Sequence, residues 1–136
     1  MRLFIDTNIF MEVILDQENA EDAKTVLSKT QEYDLFISDF SLHSIGLLLF
    51  YRKQHHIFQQ FLKDMIENGG LIITSLFIDD MEEVVSVSQR FNLDFDDAYQ
   101  YVIAGKHDLT IVSFDSDFDR TEKGRKTPVE ILKSKL

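Results

Sequence analysis

Short apolar runs alternate along the chain with longer segments in which apolar residues recur every three or four positions. The four runs cover residues 3–5, 35–37, 71–73 and 109–112. Short runs that are apolar throughout are typical of strands buried on both faces, and the longer spacing is typical of amphipathic helices. The alternation predicts an α/β domain with a mostly parallel sheet of four or five strands.

Polar residues that can cap a helix precede three of the predicted helices. A second helix is expected over residues 19–32, and another over 57–67 ends at Gly69 and Gly70, which favour the left-handed backbone that closes a helix. Residues 126–132 are expected to add a final strand or turn. The candidate caps are Thr7 for the first helix, Ser38 or Asp39 for the helix after the second strand, and Asp94 or Asp96 for the helix before the fourth.

Composition mainly excludes other classes of protein. The chain has 136 residues, of which 44% are hydrophobic, with one Pro, five Gly and no Cys. These values predict a single domain over residues 1–136 and exclude disulfides and cysteine nucleophiles. The longest apolar stretch, residues 45–51, is too short to cross a bilayer, so we expect a cytoplasmic protein without membrane contact. The Gly-rich loops of nucleotide-binding folds and the Ser-containing elbow of esterases are missing from the sequence.

Charge is distributed unevenly along the chain. The net charge of −10 argues against a nucleic-acid partner, because phosphate binding usually needs a basic surface. The end of the chain is nevertheless basic, and Lys123, Arg125 and Lys126 are candidates for holding the phosphates of RNA. A solvated loop explains these three residues equally well. Six of the fourteen Lys and Arg residues follow Phe118, namely Arg120, Lys123, Arg125, Lys126, Lys133 and Lys135.

Acidic residues stand where the apolar strands end. Asp6 directly follows the first run, Asp115 and Asp117 follow the fourth, and Asp97 lies in the first turn of the preceding helix. Each alone is explained as a helix cap or a turn residue. Parallel strands, however, bring their carboxyl ends to one edge of the sheet, where gathered carboxylates repel one another unless a hard cation binds them. The pattern indicates a metal-dependent hydrolase.

Three segments resemble the motifs of the PIN-domain nucleases. They are Phe-Ile-Asp-Thr-Asn at residues 4–8, Leu-Asp-Phe-Asp-Asp-Ala at 93–98, and Ile-Val-Ser-Phe-Asp-Ser-Asp-Phe at 111–118. The resemblance covers essentially the whole chain. It implies a three-layer α/β/α fold with a central parallel sheet, and an endoribonuclease that uses Mg²⁺ or Mn²⁺. Many small bacterial and archaeal members are toxins of toxin–antitoxin pairs and form dimers, so the implied partners are RNA, a cognate antitoxin and a second copy of the chain.

The same resemblance assigns roles to individual polar residues. The acids match a metal-binding and catalytic set, in which Asp117 or Asp97 would orient the attacking water or accept its proton. The implied metal ligands are Asp6, Asp97 and Asp115, the catalytic acids are these three with Asp117, and the residues that orient Asp6 and its surroundings are Thr7 and Asn8.

One position departs from the family pattern. The family usually carries a Glu early in the helix after the second strand, where this sequence has Ser44 with His43 beside it. His43 either compensates, as an Mn²⁺ ligand or a base, or is an ordinary helix histidine. Ser44 either holds a metal-bound water or faces a neighbour, and Asp39 is either a substitute acid or a cap. The alternative function is a catalytically weakened PIN-like domain that binds RNA or a protein without cleaving RNA.

Overall fold

Four parallel strands form a central sheet in this protein, for which a computed structural model describes residues 1–134. The strands are β1 (Arg2–Ile5), β2 (Asp34–Ser38), β3 (Ile72–Thr74) and β4 (Thr110–Val112). Their order is β3-β2-β1-β4, and every pairing is parallel. The predicted parallel sheet is therefore confirmed. Lys135, counted above among the basic residues, lies outside the described residues.

Helices cover both faces of this sheet. After α4 the chain continues over Leu62–Glu67 in wider, π-helical geometry, and short 3₁₀ turns occupy Ile78–Asp80 and Ser116–Arg120. No helix among residues 1–134 is long and apolar enough to span a membrane. The helices are α1 (Thr7–Ile14), α2 (Ala20–Ser28), α3 (Asp39–Tyr51), α4 (His55–Phe61), α5 (Met81–Phe91), α6 (Phe95–Lys106) and α7 (Pro128–Lys133).

Two apolar cores lie on opposite faces of the sheet. Leu3 and Ile5 of β1 point into a core shared with α1, α2, α3, α4 and α7, whereas Phe4 points into a core shared with α5 and α6. The alternation follows from strand geometry, because successive side chains point to opposite faces. A sheet with helices on both faces is the three-layer α/β/α arrangement that the sequence predicted.

The helix caps agree with the predictions in part. Ser38 caps α3 and Asp94 caps α6, each side chain accepting the backbone hydrogen bond of the residue three positions later. The prediction for Thr7 is wrong: Asp6 occupies the cap position of α1, and Thr7 is the first helical residue. Within the described residues the Asp6 side chain makes no capping bond to α1, which leaves it available to the site described below.

The end of the chain differs from the prediction of a strand or turn over residues 126–132. Lys126 forms a single parallel bridge with Val112, and the chain then enters α7. Thr127 begins this helix with a capping box, because its hydroxyl accepts from the Glu130 N–H while the Glu130 carboxylate accepts from the Thr127 N–H. Pro128 at the first helical position favours the same outcome.

Helix ends elsewhere follow local backbone chemistry. The predicted helix over 19–32 is shorter, ending at Ser28, because Lys29 to Tyr33 fold into turns in which Glu32 N–H donates to the Lys29 carbonyl. The stop predicted after residue 67 is confirmed, and Gly70 has a φ of 74°. That left-handed backbone is available to Gly at little steric cost.

Candidate metal and active site

A polar pocket lies where the carboxyl ends of β1 and β4 meet the start of α6. Its volume is about 340 Å³. The hydrogen bond from Asp6 N–H to the Val112 carbonyl, 3.0 Å long, continues the β1–β4 pairing and brings the two strand ends side by side. The lining residues are Asp6, Thr7, Asn8, Met11, Ser44, Asp94, Asp96, Asp97, Gln100 and Asp115.

Three carboxylates converge at one side of this site. Asp97, Asp115 and Asp117 each place one carboxylate oxygen so that these oxygens all lie within 4.8 Å of one another. Asp97 is buried, whereas Asp115 and Asp117 are half-buried. Hard carboxylate oxygens at such separations are the donor set that Mg²⁺ and Mn²⁺ prefer. We call Asp97, Asp115 and Asp117 the acidic trio.

Electrostatics within the trio favour a bound cation. Burial raises the pKa of Asp97 to about 8, and its hydrogen bond with Asp115 and the negative charges of Asp6, Asp94 and Asp115 act in the same direction. A carboxyl group that resists ionisation in this way gains most from a cation that neutralises the surrounding charge. The chemistry of the pocket therefore fits a divalent metal.

Asp6 is held differently from the trio, although it lines the same pocket. Gln100 Nε2 donates to Asp6 Oδ1 at 2.8 Å, and Ser113 Oγ donates to Asp6 Oδ2 at 2.6 Å. Burial raises the pKa of Asp6, and these two hydrogen bonds act against that rise. Each oxygen therefore has a fixed donor, and the carboxylate is oriented rigidly toward the pocket. The role of Asp6 as a metal ligand stays a prediction.

A buried polar network supports Asp6 from α3. Ser41 Oγ donates to Gln100 Oε1 at 3.2 Å and lies 2.6 Å from the Thr7 Oγ1 that donates to it. Ser38 Oγ donates to the same Ser41 oxygen at 3.0 Å. The network links the cap of α3, the start of α1 and the second turn of α6. Thr7 therefore supports Asp6 through Ser41 and Gln100.

Asn8 supports the loop after β4. Its Nδ2 donates to Ser113 Oγ at 3.2 Å, and its Oδ1 accepts from the Phe114 N–H at 3.2 Å. Ser113 Oγ also accepts from the Asp115 N–H at 2.9 Å. Asn8 and Ser113 thus fix the turn that carries Asp115, while Ser113 also contacts Asp6.

The loop that carries the trio contains further charge contacts. Asp115 Oδ1 accepts from the Asp117 N–H at 2.8 Å, and Asp117 Oδ1 accepts from Arg120 Nη1 at 3.1 Å. Arg120 also donates to the carbonyls of Phe91 and Asn92, which ties this loop to the end of α5. The position of Asp117 is therefore set by the backbone hydrogen bond to Asp115 and by the guanidinium of Arg120.

The structure separates the candidates on α3. Ser44 lines the acidic pocket, whereas His43 lines a second, apolar groove together with Leu42, Gly46 and Phe58. Asp39 lines that groove as well, and its Oδ1 accepts hydrogen bonds from Phe40 N–H and Tyr99 Oη. The structure therefore does not bring His43 or Asp39 to the acidic trio.

The basic residues near the end of the chain play unequal parts. Arg125 donates to both carboxylate oxygens of Asp119 and to the Ser113 carbonyl, so its guanidinium braces the loop after β4. Lys123 and Lys126 are exposed, and they remain candidates for phosphate contacts. The structure thus gives Arg125 an internal role that its sequence position did not indicate.

Sequence reasoning missed the neutral members of this site. Gln100 and Ser41 are fully hydrogen-bonded and buried, yet neither was assigned a role. Gln100 lies three residues after Asp97, and Ser41 lies three residues after the Ser38 cap. Spacing of three places side chains on the same side of a helix, which is the signal that could have identified both.

Comparison with known proteins agrees with this geometry. A family model for the PIN domain matches residues 3–124. The chain belongs to the PIN domain family. The family resemblance drawn from the three motifs is thereby confirmed. No curated protein matches the sequence itself.

Solved structures show the same PIN fold at low sequence identity. A toxin–antitoxin complex from Klebsiella pneumoniae is 22% identical, with a TM-score of 0.72 over 93% of this chain and 97% of that chain. VapBC2 from Rickettsia felis, bound to a DNA fragment from its promoter, is 14% identical, with a TM-score of 0.75 over 93% and 97% of the two chains. The sarcin–ricin loop cleaving toxin VapC20 of Mycobacterium tuberculosis is 19% identical, with a TM-score of 0.70 over 86% and 92%.

Proposed function

We propose that this protein is a metal-dependent endoribonuclease that hydrolyses RNA phosphodiester bonds. The acidic trio carries the proposal, because three carboxylate oxygens lie within 4.8 Å of one another in a PIN domain, and two of these residues, Asp97 and Asp115, line the pocket at the strand ends. Without a cation, this arrangement costs electrostatic free energy, as the raised pKa of Asp97 indicates. The ion pair between Arg120 and Asp117 offsets only part of the negative charge that the trio gathers.

The residues that would hold Mg²⁺ or Mn²⁺ are Asp97, Asp115 and Asp117, with Asp6 facing the same pocket. When bound, such an ion activates water and neutralises charge on the scissile phosphate. Gln100 holds the Asp6 carboxylate in one orientation, so this side chain loses no further conformational entropy when the substrate binds.

In this proposal Asp117 is the residue that takes part in proton transfer. The side chain of Asp117 is 46% exposed, and Arg120 Nη1 donates a hydrogen bond to its Oδ1. The other oxygen is free of that ion pair and can orient a water or take its proton. Lys123 and Lys126, which are exposed on the segment that follows, would hold flanking phosphates by charge.

A role as the toxin of a toxin–antitoxin pair is the biological setting we propose, in the cytoplasm. It is supported by two structural neighbours, one solved as a toxin–antitoxin complex and one described as a cleaving toxin. It is also supported by the apolar groove on α3, where Leu47 and Phe50 are more than half exposed. Exposed apolar residues that cluster beside a groove are typical of protein interfaces. An antitoxin or a second copy of the chain are the partners we propose.

The alternative is a catalytically weakened PIN domain that binds RNA or protein without cleavage. Ser44 favours it, because this side chain lines the pocket where the family resemblance implies a Glu. A pocket with one carboxylate fewer holds a divalent ion less tightly. The acidic trio, whose members are all present, favours the active enzyme.

The test combines metal binding with RNA cleavage. Calorimetric titration with Mn²⁺ and Mg²⁺ is expected to show saturable binding, and a pool of unstructured single-stranded RNA is expected to be cut only when a metal is present. Asp6→Asn should reduce cleavage strongly, whereas Asp79→Asn, which changes an exposed acid before α5, should not. RNA binding without cleavage in either metal would support the alternative, and the absence of both activities would overturn the proposed function.

A further inference from the structure

Three aromatic rings pack together between the first turns of α3 and α6. The ring centroids of Phe40, Phe95 and Tyr99 are separated by 5.9 to 6.1 Å, and each ring is tilted against the other two. Tyr99 is buried, and its hydroxyl is fixed by the Asp39 carboxylate and the Leu76 N–H. Phe95 therefore rests on two rings that the fold holds in place.

Phe95 is the exposed member of this cluster. It is the first residue of α6, and 53% of its surface is accessible. Single exposed apolar residues are common on protein surfaces and need no explanation. Phe95 differs because its ring orientation is fixed from below by Phe40 and Tyr99. A ring supported on one side and open on the other presents a flat apolar surface without further loss of side-chain freedom.

The cluster adjoins the pocket on two helices. On α6, the two residues that flank Phe95, Asp94 and Asp96, both line the pocket. On α3, Phe40 lies four residues before Ser44, which also lines it. Residues four apart on a helix are neighbours, with about 5–6 Å between their Cβ atoms. The aromatic surface therefore adjoins the lining of the acidic pocket on both helices.

Charge decides which part of a nucleotide fits this surface. Asp94, Asp96 and Asp39 surround the rings, and carboxylates repel the phosphates of a nucleic acid. A nucleobase is neutral and has an apolar face that stacks on aromatic side chains. An unpaired nucleobase therefore fits the face of Phe95 better than a phosphate does, and a metal ion held by the acidic trio would offset the negative charge that the backbone meets in the pocket.

We infer that Phe95 is a stacking platform for one unpaired nucleobase of the RNA, next to the phosphate that is cleaved. This inference rests on the proposed nuclease function. It assigns a base-binding role to Phe95, because a base can stack on this ring only where it is not paired with another strand.

The experiment compares substitutions of Phe95 on a single-stranded RNA pool in Mn²⁺. Phe95→Leu keeps an apolar side chain but removes the ring face, and it is expected to raise KM by about tenfold while kcat changes little. Phe95→Trp keeps a ring face and should restore the wild-type KM. Phe77→Leu is the matched control, because Phe77 is 68% exposed and lies against Lys106 at the far end of α6.

A direct readout of stacking uses RNA that carries the fluorescent base aminopurine. Stacking on an aromatic ring quenches this fluorescence, so wild type and Phe95→Trp should quench it on binding and Phe95→Leu should not. Equal KM values for Phe95→Leu and Phe77→Leu would overturn the inference. That is also the result expected if the ring takes a cationic side chain of a protein partner instead of a base.

Failure of the inference is distinct from failure of the proposed function. If the wild type cleaves RNA and Phe95→Leu does so equally well, only the stacking platform is wrong. If the wild type binds RNA without cleaving it, the nuclease proposal fails and the platform is judged on the dissociation constants of the same variants. If the wild type neither binds nor cleaves RNA, both are wrong.

Discussion

The two sides of the acidic pocket hold their carboxylates in opposite ways. On the β1 side, Asp6 has a hydrogen-bond donor at each oxygen, from Gln100 and Ser113. On the α6 and β4 side, Asp97 faces the like charge of Asp115, and burial and this neighbour raise the pKa of Asp97. The hydrogen bonds to Asp6 oppose the rise in its pKa, whereas the hydrogen bond of Asp97 with Asp115 adds to the rise in the pKa of Asp97, so we expect a cation to stabilise the trio more.

This difference suggests two roles: Asp6 is positioned by the fold, and the acidic trio binds the metal in our proposal. Donors around Asp6 fix its direction before any ligand is present, which is the requirement for a preorganised site. Repulsion within the trio stores a driving force for metal binding, at a cost to the stability of the metal-free protein. Substitutions in the trio should therefore change mainly metal affinity, whereas substitutions around Asp6 should change mainly the free energy of unfolding.

The largest effect is expected for Asp97→Asn. Removing this carboxylate takes one of the three ligands, so divalent-metal binding in calorimetry should be lost and RNA cleavage should fall by about 100-fold or more. The metal-free variant should stay folded, because the substitution removes repulsion. Asp79→Asn is the control. Metal affinity that matched the control would show that the trio is not the binding site.

Gln100→Leu is expected to destabilise the protein. The substitution leaves Asp6 Oδ1 and Ser41 Oγ without their buried partner, which should lower the free energy of unfolding by about 1–3 kcal/mol. Urea denaturation monitored by circular dichroism measures this change. Gln59→Leu, at an exposed position of α4, should change stability much less. Equal effects at both positions would mean that the network around Asp6 adds no stability.

Ser44→Glu is expected to strengthen metal binding. A carboxylate at this position would face the pocket and add a ligand opposite the trio, so Mn²⁺ affinity should rise by about tenfold, or about 1.4 kcal/mol. Calorimetry measures the affinity, and Ser44→Gln provides a side chain of the same size without the charge. The prediction fails if the Glu and Gln variants bind Mn²⁺ equally.

A pH dependence of thermal stability is also expected in a chelator. Burial raises the pKa of Asp97 to about 8 from the ordinary value of about 3.9, so the folded state binds a proton that the unfolded state has released. The contribution of Asp97 to the free energy of unfolding is therefore fully present below about pH 4 and is lost as the pH rises through about 8. Calorimetric Tm values should therefore decline between about pH 5 and 8.

Asp97→Asn should flatten this decline, and so should saturating Mn²⁺ for the wild type. Asp80 and Glu130 have lowered pKa values, so their contribution is present above about pH 4 and is lost only below it. They therefore do not mask the decline at higher pH. A Tm that rose over the same range in the chelator would contradict the repulsion assigned to the trio.

Much of the fold was predictable because it depends on local patterns. The four strands appear at or within a residue of their predicted places because each contains a short apolar run, although Ile72 and Ile73 of the edge strand β3 are exposed. The final segment was not predicted, since Thr127, Pro128 and Glu130 form a helix start that outweighs an apolar run of only a few residues. Thr7 was misassigned as a cap because its hydroxyl pairs with Ser41, which is distant in sequence.

The charged residues of the site were visible in the sequence, whereas its neutral residues were not. The four acids follow strands or begin a helix, and acids at such positions are typical of metal and catalytic sites. They are Asp6, Asp97, Asp115 and Asp117. The sequence position of Gln100 does not indicate a role, because a neutral amide within a helix is common and its buried partners are known only from the structure. His43 and Ser44 were considered together, and only the direction of α3 distinguishes the groove from the pocket.

The sequence alone determined the α/β class, the positions of the strands and the set of acids at their carboxyl ends, because periodicity and strand-end chemistry are local properties. The tertiary structure alone decided how each acid is held. It gave Asp6 its two donors, left Asp97 against like charge, and placed Phe95 on two other rings beside them. Those outcomes depend on contacts between segments as much as 107 residues apart, which no local pattern encodes.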